Sequence, residues 1–129
     1  MLTKVQELLQ GFMDAYDSGM VNLWECDGIP GNCTLWPLDS RVISVTRSLQ
    51  GDARVRRQAR FTLLYLDTTP HGDWVDELDS WCQDQYGQVS GELRVWVERT
   101  GCKQNSDGTF AITACITAEY EIFRREVDQ

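Results

Sequence analysis

The chain has 129 residues, 42% apolar and 25% charged, which suffices for one ordinary core and excludes a disordered polymer. Its formal net charge of −8 argues against a broad phosphate-binding surface. That charge suits a soluble free protein, or a passage through which a polyanion slides without sticking.

No segment approaches the roughly 20 apolar residues of a membrane span. The opening Met1-Leu2-Thr3-Lys4-Val5-Gln6-Glu7 carries polar residues where a signal peptide needs an apolar run, so synthesis in the cytoplasm is expected. The five cysteines, Cys26, Cys33, Cys82, Cys102 and Cys115, are odd in number and form only one loosely spaced pair. That pattern suits neither a secreted disulfide framework nor a four-ligand zinc site. Reduced, mostly structural thiols are expected, with a Cys26–Cys33 bridge open under oxidation.

Residues 3–17 read as an amphipathic helix, with Val5, Leu8, Leu9, Phe12, Met13 and Tyr16 at helical spacing. Thr3 and Gln6 fit a capping box, and Asp17-Ser18-Gly19 fits a stop, with Gly19 suited to a left-handed cap. Val21-Asn22-Leu23-Trp24 and Thr34-Leu35-Trp36 then flank a turn from Cys26 to Cys33, as a small hairpin or an irregular arm. Pro37 marks the second piece as an edge or an ending.

Residues 41–49 and 54–66 read as two strands around the turn pair Gly51-Asp52. In the second, Val55, Ala59, Phe61, Leu63 and Tyr65 share one face, and Arg56, Gln58, Arg60 and Thr62 the other. Asp67 to Gly72 is a loop, and Asp73 caps a helix over 74–86. Trp74, Leu78, Trp81, Cys82 and Gln85 form its expected inner face, with Asp76, Glu77, Asp79 and Asp84 mostly outward. Gly87 and Gly91 bracket a break. Leu93, Val95 and Val97 then form one face of a strand, with Trp96 opposite. Gly101 to Gly108 is a polar loop, and a last strand runs from Thr109 to about Arg124. It exceeds the usual strand length, so its end is expected to project into a neighbour.

Helix, strands, helix and hairpin in this order predict an α+β fold, an antiparallel β-sheet with two main helices packed on one face. One domain over 1–129 is expected. Catalytic signatures are weak. His71 sits in a Pro-Gly loop and reads as solvated. Gly28-Ile29-Pro30-Gly31 lacks the lysine and helix of a phosphate loop, and no Gly-x-Ser-x-Gly elbow occurs. Asp73, Asp76, Glu77 and Asp79 spread around helical turns rather than converge. No cofactor and no metal is expected, and no enzymatic activity.

The basic cluster Arg54, Arg56, Arg57 and Arg60 is more informative in an acidic chain. It serves either to protect an exposed strand from edge-to-edge pairing or to meet an acidic surface on a second copy, such as the helix with Asp76, Glu77 and Asp79. A nucleic-acid patch ranks third, since aromatic interleaving is absent. Trp74 and Trp81 read as core. Trp24, Trp36 and Trp96 do not, and Trp96 is a candidate interface residue.

The layout resembles the tail terminator and minor capsid (tail completion) proteins of long-tailed phages and prophages. The resemblance rests on Val5-Gln6-Glu7-Leu8-Leu9, the strand Arg57 to Leu66, the helix Trp74-Val75-Asp76-Glu77-Leu78 and the closing strand Ile112 to Phe123. It covers residues 3–125 by order, length and pattern rather than by a motif, and the segment Trp24 to Trp36 has no match in it. The resemblance implies a structural virion protein that forms a ring, often hexameric, at the head-proximal end of the tail tube. Its partners would be itself, the tail-tube protein and the head–tail connector, with DNA only passing through the bore and no membrane. It would reside in the virion tail after synthesis in the bacterial cytoplasm. The alternatives are another head–tail connector or tail-tube protein, or a small-molecule-binding α+β domain.

Overall fold

The computed structural model describes residues 1–16, 19–68, 73–86 and 93–125. The elements are α1 (Leu2–Tyr16), β1 (Val21–Leu23), β2 (Cys33–Arg47), β3 (Asp52–Asp67), α2 (Trp74–Tyr86), β4 (Leu93–Gln104) and β5 (Phe110–Arg125). The five strands make one sheet in the order β1-β2-β3-β5-β4, antiparallel except for the β1–β2 pair. The chain thus has the α+β fold its pattern predicts.

The alternation in β3 sets the layers. Ala59, Phe61, Leu63 and Tyr65 are buried and lie opposite the buried Ala118, Ile116, Ala114 and Ile112 of β5. Val5, Leu8, Leu9, Phe12 and Met13 of α1 and Trp74, Val75, Leu78 and Cys82 of α2 join them in a single cluster, so both helices cover the same face. Complete burial of one such side chain stabilises the fold by about 1.5–3 kcal/mol. Trp74 links three elements, with its ring 4.1 Å from that of Tyr65 and 5.8 Å from that of Phe12.

Several local expectations change. Helix α1 begins at Leu2, with the Val5 amide donating to the Met1 carbonyl at 3.1 Å, so Thr3 lies inside the helix and does not cap it. Tyr16 is 66% exposed and Gln85 is exposed, so neither belongs to an inner face. The proposed stop at Asp17-Ser18, the loop around His71 and the break at Gly87 and Gly91 lie outside the described residues.

The segments 34–36 and 41–49 are not separate strands. They join into β2, which runs through Pro37. Beyond Leu35, β2 has no partner on its outer side among the described residues, so the missing proline N–H breaks no ladder bond there. Two bulges, at Leu38 and Ile43, each insert one residue against β3. The Gly101-to-Gly108 loop is also shorter than expected. Strand β4 continues to Gln104 past a register shift at Thr100, and the turn is Asn105 to Thr109.

The early region is neither a hairpin nor an irregular arm. Strand β1 pairs with β2 in parallel, Val21 opposite Cys33 and Leu23 opposite Leu35. The carboxylate of Asp27 organises the short connection, accepting from Asn22 Nδ2 and Asn32 Nδ2 at 2.8 Å and from the Ile29 amide at 3.0 Å. These bonds favour the ionised form and hold the Asp27 carboxyl below its usual range.

Strands β2, β3 and β5 then run beyond the helix layer. The apolar cluster ends at Ala59 on β3 and Ala118 on β5, with Tyr120 packed against it, yet β3 and β5 stay paired to Asp52 and Arg125 and keep Ala53 and Val55 buried. The result is a three-stranded arm closed by the turn at Ser48. There Ser48 Oγ accepts from the amides of Gln50 and Asp52, and Gly51 has a φ of 89° that suits glycine.

Candidate interaction surfaces

The strand period divides the basic cluster instead of presenting it as one strip. Arg54, Arg56 and Arg60 fall on the open face of the sheet, whereas Arg57 falls on the helix-side face with Val55 and Ala59. On the open face, Arg56 Nε donates to Glu119 at 2.7 Å and Arg60 Nε donates to Asp39 at 2.8 Å. Both pairs join residues on neighbouring strands. The Arg60 guanidinium holds the Asp39 carboxyl below its usual range. Arg41 donates to Gln58 through Nε and Nη2 at 3.2 and 3.0 Å. Arg54 is exposed, directly across from Phe123.

The same face carries Trp36 on β2 and Trp96 on β4, both half-buried. The Arg94 guanidinium lies 5.8 Å from the Trp96 ring centre, a cation–π contact within β4. Trp24, by contrast, is exposed in the connection after β1 and adopts a φ of 72°.

The acidic residues of α2 also divide. Asp76 and Glu77 are exposed in its first turn, where the helix dipole favours negative charge. Asp79 is half-buried and points inward, accepting from the Val97 amide at 2.8 Å and from Gln83 Nε2 at 2.8 Å. Within its own chain it therefore tethers α2 to β4. Helical spacing carried a signal of this, since Asp79 follows Val75 by four residues and flanks Leu78 on the buried side. Burial and the nearby Asp79 carboxylate push the Cys82 thiol up to about 12, which leaves it unreactive near neutrality.

Two features escaped the sequence reading. The first is an open cleft of about 370 Å³ between the end of α1 and the outer side of α2, lined by Tyr16, Asp73, Asp76, Glu77, Trp81 and Asp84. Tyr16 and Trp81 form its aromatic wall, edge to face at 5.7 Å. The second is the apolar surface of the arm, where Leu38, Val42, Ile43, Val45, Leu49 and Phe123 are all exposed. The available signal was the segment 41–49, where Val42 and Ile43 begin an alternation that weakens toward Ser48.

A wider depression at the other end of the sheet is lined by Cys26, Leu66, Lys103, Asn105, Asp107 and Thr109. It is open to solvent and its lining is about as polar as apolar, unlike the enclosed, mostly apolar pockets that hold small ligands. All five cysteines are free thiols, with Cys26 and Cys102 exposed and Cys33 and Cys82 buried. Among the described residues no group of three or more His, Cys, Asp or Glu side chains is placed to hold a metal ion. No helix there is long and apolar enough to cross a membrane. No protein-family model matches this sequence, and no curated protein matches it.

Proposed function

We propose that this chain is a structural phage or prophage protein of the tail terminator and tail completion type. In this reading it assembles into a ring at the head-proximal end of the tail tube, stops tube growth and presents the surface that joins the head connector. The observation that carries the proposal is the arm. Strands β3 and β5 remain paired for sixteen residues, past the ends of the apolar cluster, and the β2 edge and tip of this extension expose Val42, Ile43, Val45 and Leu49 while Ala53 and Val55 of β3 stay buried. Exposed apolar surface costs solubility in a lone molecule and is useful where another chain covers it.

Charge segregation supports the same reading. The segment from 38 to 60 holds six arginines, Arg41, Arg47, Arg54, Arg56, Arg57 and Arg60, against Asp39 and Asp52, in a chain with 20 acidic and 12 basic residues. A positive arm on a negative body favours contact between unlike surfaces of successive copies. The acidic remainder suits a bore through which DNA passes without adhering.

The test is to add the purified chain to polymerising tail-tube protein of the same phage or prophage and image the products by negative-stain electron microscopy. Tubes shortened and capped by rings at one end are expected. Tubes of unchanged length with no bound chain would sink the proposal.

A further inference from the structure

The ring reading leaves open which surfaces of neighbouring copies meet, and the arm and the helix layer carry a matched pair. We infer that the helix-side face of the arm of one copy docks into the acidic, aromatic-walled cleft between α1 and α2 of a second copy. This inference rests on the proposed self-assembly.

The arm face is built by register. Val42 of β2, Arg57 of β3 and Tyr120 of β5 lie in one row, and Val45, Val55 and Ile122 lie in the next. Val42 is 50% exposed and Val45 47%, and Leu49 stands fully exposed at the tip. Ala53 and Val55 in the middle of this face are buried, 2% and 6% exposed, and Tyr120 packs against the apolar cluster, so the part of the face open to another chain is its β2 edge and tip. In its midst sits Arg57. Its Nε is buried and unpartnered among the described residues, and its Nη2 reaches only Ser40 Oγ, at 3.5 Å. An unsatisfied buried donor costs about 1–3 kcal/mol, and a carboxylate seated beside the partly exposed guanidinium would offset part of that cost by charge.

The cleft supplies what the arm lacks. Asp73, Asp76, Glu77 and Asp84 line it with negative charge, and Tyr16 and Trp81 offer aromatic surface for valine and leucine side chains. Arg56 and Arg60 are committed to Glu119 and Asp39, so Arg57 is the cation of the cluster suited to this contact. The two surfaces share no residue. Successive copies can therefore pass the contact head to tail and close a ring, or a reciprocal exchange of arms can form a dimer.

Sedimentation equilibrium of the full chain at low salt, together with a photo-cross-linking residue placed at Leu49, tests this. Val45→Glu, Arg57→Glu and Asp76→Arg should each weaken self-association ~tenfold or more, with unchanged circular dichroism, and the Arg57→Glu/Asp76→Arg pair should restore most of it. The cross-link should map to α1 or α2 of another copy. Wild-type assembly that these variants leave intact would overturn the arm–cleft contact while the ring reading stands. A reciprocal dimer with swap rescue would uphold the contact and remove the ring. A monomeric wild type with no cross-link, or a cross-link to another segment or another protein, would overturn the contact.

Discussion

Gly19 illustrates how much a single position can depend on its surroundings. A Cβ placed there would lie 1.8 Å from the Gly31 carbonyl oxygen and 2.7 Å from the Met13 Cε. The methionine tip can swing away, but the backbone carbonyl cannot. It is held in place because the Gly31 amide donates to the Leu66 carbonyl at 2.7 Å. Gly19→Ala should therefore lower the thermal midpoint and loosen β1, while alanine at the open Gly28 position should affect only the turn. Thermal melts of the two variants, with hydrogen exchange of the Val21 and Leu23 amides, check this. Equal protection of β1 in Gly19→Ala and wild type would contradict it. The sequence alone suggested a left-handed cap at Gly19, because a glycine after Asp-Ser at a helix end is the commonest reason for one. The close approach of Gly31 depends on a turn twelve residues away and leaves no local mark.

Individual elements were legible where a period repeats and illegible where a partner is remote. The face of β3 follows from Val55, Ala59, Phe61, Leu63 and Tyr65 because alternation is a property of the strand itself. Parity likewise separates Arg57 from Arg56 and Arg60, a division visible in the sequence once the strand is accepted. Pro37 misleads because a missing N–H matters only when a neighbouring strand would have used it, and the edge is a fact of the sheet. The parallel pairing of β1 has no local signal at all. Helix α1 holds that strand through Gln10, whose Oε1 accepts from the Val21 amide at 3.0 Å and whose Nε2 donates to the Gly19 carbonyl at 3.2 Å. Gln10→Ala removes both bonds from a partly buried site, at a cost of about 1–3 kcal/mol. Urea unfolding should show that loss, and hydrogen exchange should show it concentrated in β1. A variant as stable as wild type would mean that water replaces Gln10 without penalty.

Across the whole molecule, charge governs the response to acid. The carboxyls of Asp27, Asp39 and Asp107 all lie below their ordinary value of 3.8. Asp27 is held by the Ile29 amide and by Asn32 and Asn22, Asp39 by Arg60, and Asp107 by the hydroxyl and amide of Thr109. A lowered folded-state pKa means that the unfolded chain takes up protons first. Each group therefore adds stability that is present above pH 3.8 and is lost as pH falls through the folded values. The urea midpoint should decline below that point, and added salt should shrink only the Asp39 share, which is partly an ion pair. A midpoint that stays level down to pH 2 would refute the assignment.

The sequence by itself determined the two helices, most of their inner faces, the inner face of β3 and the α+β class, because periodicity and burial are coded within a few residues of one another. Only the tertiary structure decided that the sheet outruns its helices, that Arg56 and Arg60 are neutralised at home, and that Asp79 serves the fold. Those outcomes depend on pairs such as Arg56 and Glu119, 63 residues apart, which meet only when β3 and β5 align. A side chain's availability to another molecule is set by what its own chain brings beside it, and that is a property of the assembled sheet.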